Sequence, residues 1–226
     1  MCNTKTVSAI IPAYNEEANI VQTIKALKKL DLVNEIIVVD DNSKDNTLSL
    51  ALREKVRVIG KKTNKGKGHS MRIGYSYCKG DIVLFVDADL KDTACECNKL
   101  LIPILDNQGD VTIAKFPSNG NRDGFGLVKR VAQFLVKRYT GKHIESVLSG
   151  QRAFKRQVLE DIGIKYSRFG IEVGMTIDII NKNYRLLEID VQMDHQHRGK
   201  TLRGFIHRAG QLIDILKVAL GKEVVN

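Results

Sequence analysis

Short apolar, β-rich runs alternate along the chain with stretches whose apolar positions return every three or four residues. Val7 to Ile11, ended by Pro12, reads as a strand buried on both faces of a parallel sheet. Ile20, Ile24 and Leu27 follow at helical spacing, with Asn15 predicted as the N-cap. Glu16 and Glu17 fall in the first turn, where the helix dipole favours acids. The unit repeats. Glu35 to Val39 is a strand closing on Asp40 and Asp41, with a polar turn and a helix through Leu48 to Leu52 behind it. Val56 to Ile59, a Gly/Lys loop at Asn64 to Gly68, a helix to about Cys78 and a strand at Ile82 to Val86 continue the rhythm, which holds to about Ala114. Such alternation predicts an α/β fold with a mostly parallel central sheet and helices on both faces. Ligands of that fold bind beyond the carboxyl ends of the strands.

After the strand at Val111 to Ala114 the pattern breaks. Lys115 to Gly126 carries one proline and three glycines and reads as a mobile loop, so the functional boundary is placed here. Residues 1–114 and 115–226 are expected to form two functional halves of one compact domain. Downstream, helices are predicted at Leu127 to Tyr139, near Ile171 to Asn183, and from about Leu202. A segment around Ser149 to Phe154 and a strand at Leu186 to Met193 lie between them.

Composition narrows the function classes. In 226 residues, 43% hydrophobic and 27% charged, there is room for one sizeable core and no sign of disorder. The 36 Lys and Arg against 26 Asp and Glu favour anionic partners. Aromatics at 6%, no tryptophan and scattered basic residues argue against a nucleic-acid reader. Cys2, Cys78, Cys95 and Cys97 lack metal or redox spacing and are expected to be reduced thiols. No signal-peptide pattern or membrane-length apolar run is present, so a cytoplasmic protein is the default expectation.

The strongest chemical signal is Asp87-Ala88-Asp89, directly after a buried strand, where two carboxylates reach the ligand edge. Hard oxygen donors there suit Mg2+ or Mn2+ shared with substrate phosphates, whereas the bland alternative is a solvated turn. Asp40 and Asp41 would share that rim. Four acids repel one another unless something cationic or hydrogen-bonding sits among them. The bland role of this segment is an Asx-turn shaped by Asp41 and Asn42, with Asp45 capping the next helix. Asn64-Lys65-Gly66-Lys67-Gly68 offers close backbone approach and two cations, but lacks P-loop spacing and is equally a surface turn.

Four segments in order, Ile10 to Glu17, Val39 to Thr47, Asn64 to Gly68 and Asp87 to Asp89, resemble family 2 glycosyltransferases. The resemblance implies a GT-A nucleotide-diphospho-sugar fold, with Pro12, Tyr14, Glu16 and Asp41 around the nucleoside. It also implies Lys67 near the diphosphate, and Asp87 and Asp89 at the donor and metal. Ser149 to Arg152 and Phe169 to Gly174 are similar, more loosely, to glucosyl-3-phosphoglycerate synthases. That likeness implies Gly150 and Arg152 at the acceptor and Glu172 facing the reacting sugar. It further implies a metal-binding histidine near the end of the last strand, for which His195 is the first choice and His197 the second, against the alternative of an exposed basic turn.

The expected reaction is metal-dependent transfer of a hexose from a nucleoside-diphosphate sugar, a UDP-sugar favoured, to a small-molecule or lipid-linked acceptor. Asp89 and Glu172 would be the catalytic carboxylates, Glu172 as base for an alcohol acceptor. Lys129, Arg130, Lys137 and Arg138 accompany an apolar stripe at Leu127 to Leu135, and Phe205 to Leu216 carries another. Core packing, a homodimer contact or peripheral membrane contact each accounts for them; the last points to a polyprenyl-phosphate or glycolipid acceptor. The rivals from other classes are a sugar-nucleotide pyrophosphorylase and a non-catalytic nucleotide-binding module.

Overall fold

The computed structural model describes residues 5–117, 125–166 and 170–193. Its single seven-stranded sheet takes β1 (Val7–Ala13), β2 (Glu35–Asp40), β3 (Arg57–Gly60), β4 (Ile82–Phe85), β5 (Val111–Lys115), β6 (Arg152–Lys155) and β7 (Leu186–Asp190) in the order β3-β2-β1-β4-β6-β5-β7. β1 pairs in parallel with β2 and β4, β2 with β3, and β5 with β7; β6 alone runs antiparallel, between β4 and β5. Both halves of the chain thus contribute strands to one sheet. The strand order reverses beside β1, so the loops after β1, β2 and β4 leave one edge side by side.

Period-two alternation sorts the core onto two faces. Ala9, Ile11, Val38 and Leu84 pack with α1 (Ile20–Lys28) and α4 (Asn98–Leu105), which follows a 3-10 turn at Lys91–Cys97. Ile10, Ile37, Val39, Val83 and Phe85 face α3 (Lys67–Tyr77), α6 (Arg156–Ile162) and α7 (Ile171–Asn181). α2 (Thr47–Arg53) flanks β3, and α5 (Phe125–Thr140) packs on α7.

Two local expectations need correction. Asn15 is no N-cap: it turns the chain with φ 56°, and the helix starts only at Ile20. Its amide donates to Ser43 Oγ at 3.0 Å and its side-chain oxygen accepts from the Lys44 amide at 2.8 Å. Glu17 Oε2 accepts from the Asn46 amide at 3.0 Å, so these residues zip the first two loops together instead of opening a helix. No Asx-turn forms at Asp41, whose carboxylate bonds the loop after β3; the turn is held instead by Asp40, whose Oδ2 accepts from the Ser43 amide three residues on at 3.1 Å. Asp45 does close the helix start, accepting from the Thr47 amide at 3.0 Å. The expected loop at Lys115 to Gly126 falls mostly on residues 118–124, and the final helix from Leu202 wholly, outside the described residues.

Asp110 clamps the second half of the sheet. It accepts from Lys155 on β6 at 2.9 Å and from the Arg185 amide before β7 at 2.9 Å. Burial works against its charge, but the bonds from Arg185 and Lys155 outweigh it and hold the carboxyl well below the ordinary range. A depressed folded-state pKa contributes stability above the unfolded value and loses it as pH falls. Asp110→Asn is therefore expected to lower the melting midpoint at pH 7. The gap to the parent, followed by circular dichroism, should narrow below about pH 4; a gap constant from pH 7 to 2 would refute the clamp.

Candidate active site

The Asp87-Ala88-Asp89 turn is set by apolar anchoring from below. Ala88 and Leu90 are buried in the α1-side core, while the intervening carboxylates stay half-buried at the sheet edge. Thr23 of α1 pins the turn, donating from Oγ1 to the Ala88 carbonyl at 2.8 Å and accepting from the Lys91 amide at 2.9 Å.

The repulsion expected among the rim acids is met by cations from the loop after β3. Buried Asp41 pairs with Lys61 and accepts from the amides of Lys65 at 2.9 Å and Gly66 at 2.7 Å. Gly66 holds φ 85°, a backbone region that side chains disfavour, and in that conformation leads into α3. Lys67, the first residue of α3, then lies 2.7 Å from Asp87 Oδ1 and 2.9 Å from Glu172 Oε1. Burial alone would lower its pKa, but the two carboxylates more than offset that and hold the ammonium firmly charged.

Gly150 makes this approach possible. A Cβ there would stand 2.6 and 2.9 Å from the Asp87 oxygens and closer still to Lys67 Nζ. Its neighbour Gln151, fully buried, donates from Nε2 to Asp87 Oδ2 at 2.8 Å. Asp87, Lys67, Gly150, Gln151 and Glu172 therefore converge from β4, α3, the segment before β6 and the first turn of α7. Asp41 lies on the same edge, two strands from β4 and so roughly 10 Å away. Pro12 is the penultimate residue of β1, whose last residue, Ala13, accepts from the Asp41 amide at 2.8 Å, and half-exposed Tyr14 and Glu16 follow in the adjoining turn. Glu16 is tied down through its side chain, which accepts from Asn19 at 2.7 Å.

Arg152 lies just behind this cluster. It is 1% exposed, and its guanidinium donates to the carbonyls of Ser149 at 2.8 Å and Val147 at 2.6 Å and to Thr176 Oγ1 at 3.0 Å. Burial pushes its pKa down to about 10, with Glu172 and Asp87 opposing, so it remains a cation that braces α7 against β6. Arg152→Ala strands those acceptors in the core and is expected to cost on the order of 3 kcal/mol. Calorimetry should show a midpoint lower by about 6–12 °C; a change under about 2 °C would refute the bracing role.

Sequence reasoning did not single out Gln151, Lys61 or Thr23 as site residues. The only available signal was the polar run Ser149 to Arg152 opening a short apolar strand. His195 and His197 lie outside the described residues. Among the described residues no group of three or more His, Cys, Asp or Glu is placed to hold a metal. The donor set nevertheless fits a hard divalent ion, which protein sites commonly bind with one or two carboxylates plus substrate phosphates. Asp87 and Asp89 provide such carboxylates, and Asp87 already holds a cation in Lys67.

Residues 8–163 match the family model for glycosyl transferase family 2. The chain belongs to that family. It is 29% identical over 203 residues to the glucosyl-3-phosphoglycerate synthase of Mycobacterium tuberculosis, covering 79% of this chain and 62% of the relative. It is 26% identical to the undecaprenyl-phosphate 4-deoxy-4-formamido-L-arabinose transferase of Shewanella sediminis, covering 95% of this chain and 66% of the relative. The chain thus spans about two thirds of the length of these curated relatives. A crystal structure of the mycobacterial synthase with Mn2+, UDP and glucosyl-3-phosphoglycerate superposes with a TM-score of 0.78 at 25% identity, covering 98% of this chain and 81% of that one. The architecture is the expected GT-A fold, its one antiparallel strand, β6, carrying the Gly150 segment into the site. No helix among the described residues is long and apolar enough to cross a membrane.

Proposed function

We propose that this family 2 member transfers a hexose from a nucleoside-diphosphate sugar, with a UDP-sugar as the favoured donor, to an acceptor that itself bears a phosphate. The observation that carries the reading is the convergence of Lys67, Asp87 and Glu172 beneath Gly150 at the carboxyl edge of the sheet. Sugar transfer leaves a diphosphate on which negative charge grows, so the site must hold preorganised positive charge. Lys67 meets that need: its ammonium is held charged and positioned before any donor arrives. Asp87 and Asp89, with His195 as a further ligand, would hold Mg2+ or Mn2+, which supplies Lewis-acid neutralisation of the leaving diphosphate. Pro12, Tyr14, Glu16 and Asp41 frame the nucleoside side of the same edge.

Glu172 stands at the inner end of the site, 8% exposed, and for an alcohol acceptor it is the candidate base. A phosphate nucleophile needs none. The two kinds of relative named above carry a phosphoglycerate and an undecaprenyl phosphate in their names, and a phosphate on the acceptor is what they share. A chain with 36 basic against 26 acidic residues suits such an acceptor electrostatically.

The test is incubation with a panel of nucleotide sugars, with and without Mn2+, in the presence of phosphoglycerate or a short polyprenyl phosphate. Release of nucleoside diphosphate that requires both Mn2+ and acceptor is expected. Nucleoside triphosphate and sugar phosphate formed from added pyrophosphate would instead make it a pyrophosphorylase, and inertness toward every donor a non-catalytic binding module.

A further inference from the structure

α5 carries a surface that the transfer site does not use. Its inner face, Val128, Ala132, Leu135 and Val136, is buried against Val173 and Ile180 of α7. Its outer face leaves Leu127 and Phe134 each 65% exposed. Lys129, Arg130, Lys137 and Arg138 are all exposed around them. Leu127, Arg130, Phe134, Lys137 and Arg138 recur at helical spacing, so apolar and cationic groups share one stripe.

The charge pattern is not explained by helix stability. α5 has 16 residues and no acid, and only Lys137 and Arg138 sit in the last turn, where the dipole rewards cations. Lys129 and Arg130 lie toward the opposite end. Among the described residues none of the four forms an ion pair.

We propose that this outer face of α5 is a docking surface for an anionic lipid bilayer, with Leu127 and Phe134 in the headgroup boundary and Arg130, Lys137 and Arg138 on lipid phosphates. Charge complementarity selects that occupant. A second copy packed on the same face about a two-fold axis would set cations against cations. Residues 194–226 carry 6 Lys and Arg against 3 Asp and Glu, the same sign. A nucleic acid would satisfy the cations but leave Leu127 and Phe134 in water, whereas an anionic interface takes both kinds of group. Delivery of a lipid-borne acceptor rests on the transfer reading; docking itself does not.

The experiment is co-sedimentation of the full chain with phosphatidylcholine vesicles with and without phosphatidylglycerol, in low and high salt, alongside light scattering for molecular mass. Binding is expected only to the anionic vesicles and is expected to weaken with salt. Each basic residue is worth about fivefold in partitioning, so R130Q/K137Q/R138Q should lose about a hundredfold. L127S/F134S should also release the protein, with circular dichroism and melting midpoint unchanged in both variants. Absence of binding, equal binding to neutral vesicles, or unaltered binding by L127S/F134S would overturn the proposal. So would a serine variant that converts a dimer to a monomer while still sedimenting with vesicles. Turnover plays no part in the readout, so failure here and failure of the transfer reading are separable.

Discussion

Gly150→Ala is expected to lower sugar transfer by about a hundredfold, the scale of a misplacement of about 1 Å at a reacting centre. The added methyl has no room: it would overlap both oxygens of Asp87 and the ammonium of Lys67, so the pair must separate. Three consequences follow from that separation. Asp87 loses the alignment that Gln151 helps to set, Lys67 swings from Glu172, and, with Lys67 at the diphosphate as proposed above, donor affinity falls with turnover. Initial rates over a donor series, with calorimetric titration of UDP, measure both effects. A variant that keeps parental kinetics would show that the Lys67–Asp87 contact has no part in transfer.

Asp89→Ala carries the second large effect, a fall in Mn2+-dependent turnover of about a thousandfold, the upper range for removing one preorganised electrostatic group. Its fold should survive, because the turn is held by buried Ala88 and Leu90 and by Thr23. Mn2+ binding in the presence of UDP, read by electron paramagnetic resonance, should disappear while the melting midpoint of the ligand-free protein stays put. Retained Mn2+ binding would move the metal assignment to other residues.

Much of the fold was legible before any coordinates. Apolar runs such as Ile82 to Phe85 and helical repeats such as Ile20, Ile24 and Leu27 are local signals, because backbone hydrogen bonding and burial act at fixed periods. The placement of Asp87 and Asp89 at a strand end was legible for the same reason. The roles of small polar residues were not: Asn15 in a helix-opening sequence and Asn15 in a left-handed turn look alike, and its bonds to Ser43 and Lys44 decide between them. The burial of Arg152 was not legible either, because a buried arginine and an exposed one differ only in what surrounds them.

By itself the chain's pattern determined an alternating α/β sheet with acids on its carboxyl edge, since periodicity and strand-end position are properties of neighbours in sequence. Tertiary structure alone decided that β6 inserts antiparallel beside β4, and that residues from four separate segments meet around one ammonium. Which cation neutralises which acid depends on contacts between Lys67 and Glu172, 105 positions apart, and no local period encodes a separation of that length.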